Sequence, residues 1–311
     1  MEKKLSIVSL IASATEMVCL LGLKDSLVGV SHECDFPQNV VKKLPRLSKP
    51  KILTDAKSFQ IDREVRNYVR QGLSIYEIDV DQLLALKPDL IITQDHCEVC
   101  AVSLKDVKNA LCQLSGRSIP ICTLRPKNLA DIFSDILRIG QMAGIENRAR
   151  SAITDLMSRL ENIRIKTQSL KRRPTVLGIE WLEPPMLAGL WIPELIEIAG
   201  GVPLGPAAEE PFRTVNWEQI RSYDADVVSI FPCGYTVFRT EMEIQETGVG
   251  KNLKFLRATK EGHCYICDGN ALFDRPGPRI VDSVELLAFL LHPEQFPEYR
   301  KKIDKEMCLQ F

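Results

Sequence analysis

The feature that most constrains this 311-residue chain is an alternation, in which short β-rich apolar runs repeatedly give way to helical periodicity. Leu5–Leu10, Ser26–Val30, Asp89–Thr93 and Pro120–Leu124 read as strands, with residues 15–21, 81–86 and 104–114 reading as helices among them. Such alternation implies β-α-β units and a parallel sheet. From Asn128, a residue type that caps helices, the pattern changes. After Gly144, residues Ile145, Ala149, Ile153, Leu156, Leu160 and Ile163 recur at spacings of four and three. That is one apolar stripe of a long helix, ending near Lys171 ahead of Pro174. Alternation then resumes with strand Thr175–Glu180, helix Ile192–Ala199 stopped by Gly200-Gly201, and helix Trp217–Arg221. Strands Asp226–Phe231 and Cys264–Cys267 and a final helix over 278–291 complete it. The predicted fold class is α/β. Two α/β lobes with parallel sheets, residues 1–127 and 172–311, are joined by one long helix in a linking region, 128–171, with a ligand cleft between the lobes.

Composition narrows the function classes. With 45% hydrophobic residues the chain can bury a substantial core. Forty basic against 41 acidic residues leave a formal charge of −1, so nothing advertises a nucleic-acid surface. The Lys171-Arg172-Arg173 run reads as a solvated junction. At the N-terminus, Lys3-Lys4 followed by "LSIVSLIASA" imitates a secretory leader. Glu16 interrupts that run, however, and the segment doubles as the first core strand and helix, so it is read as retained. No apolar stretch approaches the roughly 20 residues of a membrane span. These readings predict a cytoplasmic protein with no membrane insertion.

Ten cysteines in a reducing compartment suggest metal or redox chemistry rather than disulfides. Cys19, Cys112 and Cys122 lie in apolar contexts and read as small core residues, and Cys308 in the tail carries no signal. The unusual residues gather after strands, as "SHECDFP" after Val30, "QDHCEVC" after Thr93, "EWLEPP" after Ile179 and "PCGY" after Phe231. In open α/β sheets ligands bind at the carboxyl ends of strands. Cys97 and Cys100 form an i, i+3 pair that can converge on one ion, and thiolates select zinc, copper(I) or iron–sulfur centres. Cys34 and His32 occupy another post-strand loop of the same lobe, and Cys233 a matching position in the opposite lobe. The predicted metal set is therefore Cys34, Cys97, Cys100 and Cys233 with His32, holding zinc or an iron–sulfur centre. Packing and redox chemistry are the alternatives. Cys264 and Cys267 share the spacing, but "CYIC" reads as a strand whose alternation separates the two thiols, so they are assigned to core.

Trp181, Trp191, Trp217, Tyr235 and Phe273 are candidates to wall a ligand site, against the ordinary alternative of core aromatics. Arg275 and Arg279, in "DRPGPR", offer planar donor forks to an acidic group. Glu16 and Glu180 could answer a cationic or hydroxyl-bearing ligand. Catalytic motifs are absent: there is no G-x-S-x-G elbow, phosphate-cradling glycine loop or H-E-x-x-H helix. A Cys–His pair such as Cys34 with His32, or Cys97 with His96, could support nucleophilic chemistry.

These residues resemble a family. "LSIVSLIASATEMVCLLGLKDSLVGVSHECDFP" is similar to the opening of the iron-siderophore and cobalamin substrate-binding proteins of ABC importers. "DVDQLLALKPDLIIT" is similar to their second signature and "NWEQIRSYDADVVSI" to its counterpart in the second lobe, so the resemblance spans roughly residues 5–291. It implies two α/β lobes bridged by a rigid helix, with the ligand held between them and only small closure. It also places Ser13, Thr15 and Glu16 among the ligand-binding positions. The motifs "SHECDFP", "CEVCAVS", "GLWIPE", "PCGY" and "DRPGPR" look like those of a cytoplasmic branch labelled cobalamin-binding, which implies a corrinoid ligand. No convincing export signal or lipobox cysteine is seen, which argues against docking to an ABC importer. The expectation is a cytoplasmic binder of a small molecule or metal cofactor, and the alternative is a metal- or thiol-dependent enzyme using Cys34, Cys97 and Cys100.

Overall fold

The computed structural model describes residues 5–95, 102, 104–111 and 119–311. The chain divides into two compact units. The first comprises residues 1–56, 63–126 and 130–155, and the second residues 57–62, 127–129 and 156–311.

In the first unit, β1 (Ile7–Ser9), β2 (Leu27–Val30), β5 (Leu90–Gln94) and β6 (Ile121–Leu124) form a wholly parallel sheet of order β2-β1-β5-β6. A two-stranded antiparallel ribbon, β3 (Ser48–Pro50) with β4 (Tyr76–Ile78), stands apart from it. Every residue of β5 is buried. A strand covered on both faces gains nothing from polar alternation, which is why "LIIT" is a continuous apolar run.

The second unit has β7 (Thr175–Leu182), β8 (Pro185–Leu187), β9 (Val202–Leu204), β10 (Arg213–Thr214), β11 (Val227–Ile230), β12 (Cys264–Cys267) and β13 (Cys308–Gln310). Its order is β10-β8-β7-β11-β12-β13. The eight-residue β7 is long enough to serve two partners on one edge, β9 in parallel along Thr175–Leu177 and β8 antiparallel along Ile179–Leu182. The core here runs through Leu177, Ile179, Val228, Ile230, Cys264 and Ile266, which come from the three central strands.

The stripe read from the sequence is realised in the Glu146–Gln168 helix, where Ala149, Leu156, Leu160 and Ile163 are buried. The boundary between the units falls inside this helix. The preceding helix, Leu129–Met142, meets it closely: a Cβ on Gly140 would lie 2.4 Å from the Ala149 Cβ. No real pair of carbons sits that near, so only glycine allows the approach. Gly140→Ala is expected to destabilise the protein by about 1–3 kcal/mol through overpacking. A denaturant titration unchanged from wild type would contradict this close packing.

Candidate functional site

Because neighbouring strands run parallel, their carboxyl ends lie on one edge, and the motifs that follow them are brought side by side. In the first unit the Ser31 N–H donates to the Ser9 carbonyl at 2.9 Å, tying the loop after β2 to the end of β1. The Ala12–Leu20 helix starts at that edge and is buried from Ala12 to Val18. Thr15 Oγ1 lies 2.8 Å from Ser9 Oγ and 3.1 Å from Cys34 Sγ, and Ser31 Oγ approaches the same sulfur at 3.3 Å. Cys34 is thus a fully buried thiol ringed by hydroxyls. Arg46 clamps the loop by donating to the carbonyls of Ser31 and Cys34. Ser13 Oγ is buried with no hydrogen-bond partner, and Glu16 is buried in the same helix.

His32 faces elsewhere. Its Nδ1 is 2.8 Å from Ser48 Oγ, its Nε2 is 2.9 Å from Glu33 Oε1, and its ring lies 5.3 Å from that of Tyr76. Cys97, Cys100 and His96 lie outside the described residues. Cys233 belongs to the second unit and is held through its backbone, its N–H donating to the Glu180 carbonyl at 3.0 Å. Among the described residues no three His, Cys, Asp or Glu side chains converge as a metal site. The zinc or iron–sulfur expectation therefore finds no support, for a physical reason: the sulfur of Cys34 and the ring nitrogens of His32 are engaged by neutral hydroxyls and a local carboxylate.

In the second unit the carboxyl ends of β7, β11 and β12 carry a denser set. Cys264 packs in the central core and Cys267 is buried at the end of the same strand, in keeping with the strand reading of "CYIC". Gly269 and Asn270 both donate N–H groups to the Tyr235 carbonyl, joining the loop after β12 to that after β11. Gly269 is required there, since a Cβ would fall 2.2 Å from the Pro232 oxygen. One turn of π-helix, Gly269–Phe273, follows; such turns occur mostly as isolated features and frequently at functional sites. Phe273 is fully buried and stacks on Phe231 with centroids 4.4 Å apart, and its carbonyl accepts the Trp191 indole N–H at 2.8 Å. These aromatics therefore build the floor of the edge rather than its surface.

Trp181 and Tyr235 differ. They meet edge-on at 5.4 Å, and the Trp181 Nε1 and Tyr235 hydroxyl are buried without hydrogen-bond partners. Arg239 lies over the Tyr235 ring at 4.9 Å, a cation–π contact. Trp217 instead packs on the core at the start of the Trp217–Ser222 helix.

The acidic groups are the electrostatic centre of this edge. Burial pushes the Glu180 carboxyl up to about 8, a hydrogen bond from the Gly189 backbone offsetting only part of it. Asp274 is held well above the usual carboxylate range by burial and then by the nearby charges of Glu180 and Asp268. One of its oxygens is buried without a partner. Asp268 is raised too, mainly by burial, although its carboxylate accepts the Ala271 N–H at 2.7 Å and the Arg275 charge opposes the shift. Arg275 is itself buried and donates to Asn270 Oδ1 at 2.9 Å, so it braces the loop. Carboxyls that keep protons near neutrality can donate hydrogen bonds as well as accept them. Asp274 and Asp268 were not among the residues singled out from the sequence, although Asp274 opens the "DRPGPR" motif. A cavity of about 250 Å³ lined by Arg164, Thr167, Gln168, Arg173, Glu194, Glu197 and Ile198 shares no residue with this set.

Comparison with known proteins sets this geometry in a family. Residues 7–271 match the model of the periplasmic binding proteins, and the chain belongs to that family. An uncharacterized ABC transporter substrate-binding lipoprotein of Bacillus subtilis is 24% identical over 300 residues, 94% of this chain and 81% of that protein. A vitamin B12-binding protein of Vibrio cholerae is 24% identical over 283 residues, covering 90% and 86%. Among solved structures, a periplasmic heme-binding protein from Pseudomonas aeruginosa superposes with a TM-score of 0.70 at 21% identity, covering 93% of each chain. The predicted class, α/β with parallel sheets and a long helix, is the fold found.

Two expectations are corrected by these findings. The prediction of a cytoplasmic protein is overturned, because the family is that of periplasmic binding proteins, one relative is a lipoprotein and the structural neighbour is periplasmic. The argument against an ABC importer loses its footing likewise, since a relative matched over most of its length is an ABC transporter substrate-binding protein. No support emerges for the cysteine-based enzyme.

The raised carboxyls give a pH dependence with a definite sign. A Glu180 that ionises near 4.5 when unfolded but near 8 when folded holds a proton that the unfolded chain has lost. Its contribution is full below about pH 4.5 and lost as pH rises through about 8. Thermal melts should therefore show Glu180→Gln gaining on wild type as pH rises across that window, with the difference vanishing at its acidic end. Parallel curves would show that the carboxyl is ionised in the native state.

Proposed function

We propose that the chain is an extracytoplasmic substrate-binding protein that delivers a corrinoid to an ABC importer. The observation that carries this reading is the edge built by Trp181 and Tyr235 beside the proton-holding Glu180 and Asp274. It offers apolar ring surface together with unspent hydrogen-bonding groups, namely the Trp181 indole N–H, the Tyr235 hydroxyl and one Asp274 oxygen. A large macrocycle fringed with amides matches that mixture, because the ring buries area against aromatics while amides exchange hydrogen bonds with carboxyls that act as donor or acceptor. Relatives over most of this chain's length are vitamin B12-binding proteins, and a close fold neighbour binds heme. Trp191, Phe273 and Arg275 are proposed to act by positioning, since they brace the edge from beneath.

Titration with cyanocobalamin, followed by calorimetry and visible absorbance, should give a dissociation constant in the micromolar range or tighter. Trp181→Ala should weaken it by about 10-fold or more, as loss of a buried aromatic anchor does. Hemin and a ferric siderophore serve as competing arms. No corrinoid binding at about 100 μM, a concentration that would reveal even weak affinity, alongside saturation by hemin would move the substrate to the heme class and sink the corrinoid reading.

A further inference from the structure

We infer that Cys267 and Cys308 form a dithiol site that closes, on oxidation by a disulfide of the glutathione class, into a cross-strand bond fastening the C-terminal strand. The two residues face each other in the antiparallel β12–β13 pair, and their sulfurs are 3.7 Å apart. The flanking ladder fixes what kind of position this is. Phe311 N–H donates to the Cys264 carbonyl at 2.9 Å, and Asp268 N–H to the Met307 carbonyl at 3.0 Å. Hydrogen-bonded and non-hydrogen-bonded pairs alternate along an antiparallel ladder, so Cys267 and Cys308 occupy a non-hydrogen-bonded pair. There the Cα atoms approach to about 4.5 Å instead of about 5.5 Å, inside the range of about 4.4–6.8 Å that a disulfide spans. Directly opposed residues also share a face, so both thiols project to the same side. Cys264, three positions earlier on β12, packs into the central core and lies opposite Phe311 in the same ladder.

Exposure orders the chemistry. Cys308 is half-buried whereas Cys267 is fully buried. The hydrogen bond to the Cys308 sulfur, and then burial, keep the proton on Cys267. The Cys308 thiolate therefore attacks the incoming disulfide first, forming a mixed disulfide and expelling one thiolate. Cys267 then gives up its proton and attacks the Cys308 sulfur, which expels the second thiolate. Two thiols are oxidised by two electrons, the incoming disulfide is reduced to two thiols, and the two protons leave with them.

The strand has reason to need a fastening. β13 is only three residues long at the sheet edge, held further by Gln310 Nε2 on the Gly262 carbonyl and by Phe311 against the core. The oxidant in the cell rests on the extracytoplasmic reading above, since disulfides persist in oxidising compartments. The test does not rest on it, and uses no ligand, so failure of corrinoid binding leaves it intact.

The folded full-length protein is equilibrated with oxidised and reduced glutathione, alkylated, and mapped by peptide mass spectrometry. The expected product is two hydrogens lighter with the Cys267 and Cys308 peptides joined, and it melts about 5–10 °C higher than the reduced form, a shift reversed by dithiothreitol. Cys308→Ser should lose both the link and the gain. Cys267→Ser should instead accumulate glutathione on Cys308; if that buried change prevents folding, the half-buried Cys308→Ser remains as the control. Wild-type protein that keeps both thiols free, stops at the mixed disulfide on Cys308, or links either residue elsewhere would overturn the proposal.

Discussion

Everything that gives this protein a site depends on the parallel alignment of its central strands. Ile179 of β7 pairs with Ile230 of β11, which pairs with Ile266 of β12. Aligned at this level and pointing the same way, the three strands send the motifs that follow them to one edge. Ser9, Val30 and Ile92 do the same in the first unit. In an antiparallel sheet the same motifs would be split between two opposite edges, and no set of groups would form. Burial on both faces enforces the register, since a slip by one residue would turn core side chains over.

That alignment has an electrostatic consequence. It draws Glu180, Asp268 and Asp274 toward one another in a desolvated region, where the Arg275 charge opposes only part of the shift at Asp268. Charge is costly in such surroundings, so all three carboxyls are pushed up and Glu180 ionises only near 8. The first unit answers differently, surrounding Cys34 with neutral hydroxyls. One unit thus offers carboxyls that donate and accept, and the other offers hydroxyls around a thiol.

Much of the fold was legible in the residues. The long helix appears as Glu146–Gln168, and β5, β7, β11 and β12 fall within a residue or two of their predicted places. Several elements that were missed are short or bury little. Ser58–Arg70 buries little beyond Ser58 and Ile61, and β8, β9, β10 and β13 have three residues or fewer, too few for alternation to register. The site was legible as a set of post-strand motifs but not as an arrangement. Trp181 and Trp191 look alike in sequence, yet the indole N–H of Trp191 is spent on the Phe273 carbonyl while that of Trp181 has no partner. The cytoplasmic reading failed because composition and element pattern carry no address, and the relatives overturn it.

What the sequence by itself determined was the pattern: which runs are strands, which stripe makes the long helix, and which chemistry follows each strand. Those are local properties, set by periodicities of two and of 3.6 and by chain punctuation. What only tertiary structure decided were the meetings. The cross-strand pairing of Cys267 with Cys308, the carboxyl cluster around Asp274 and the glycine contact of Gly140 with Ala149 join residues that the sequence gives no reason to associate. The physical reason is that register and burial are collective. They are settled when whole sheets and helices pack, and a side chain's proton or partner then follows from its surroundings rather than from its neighbours in the chain.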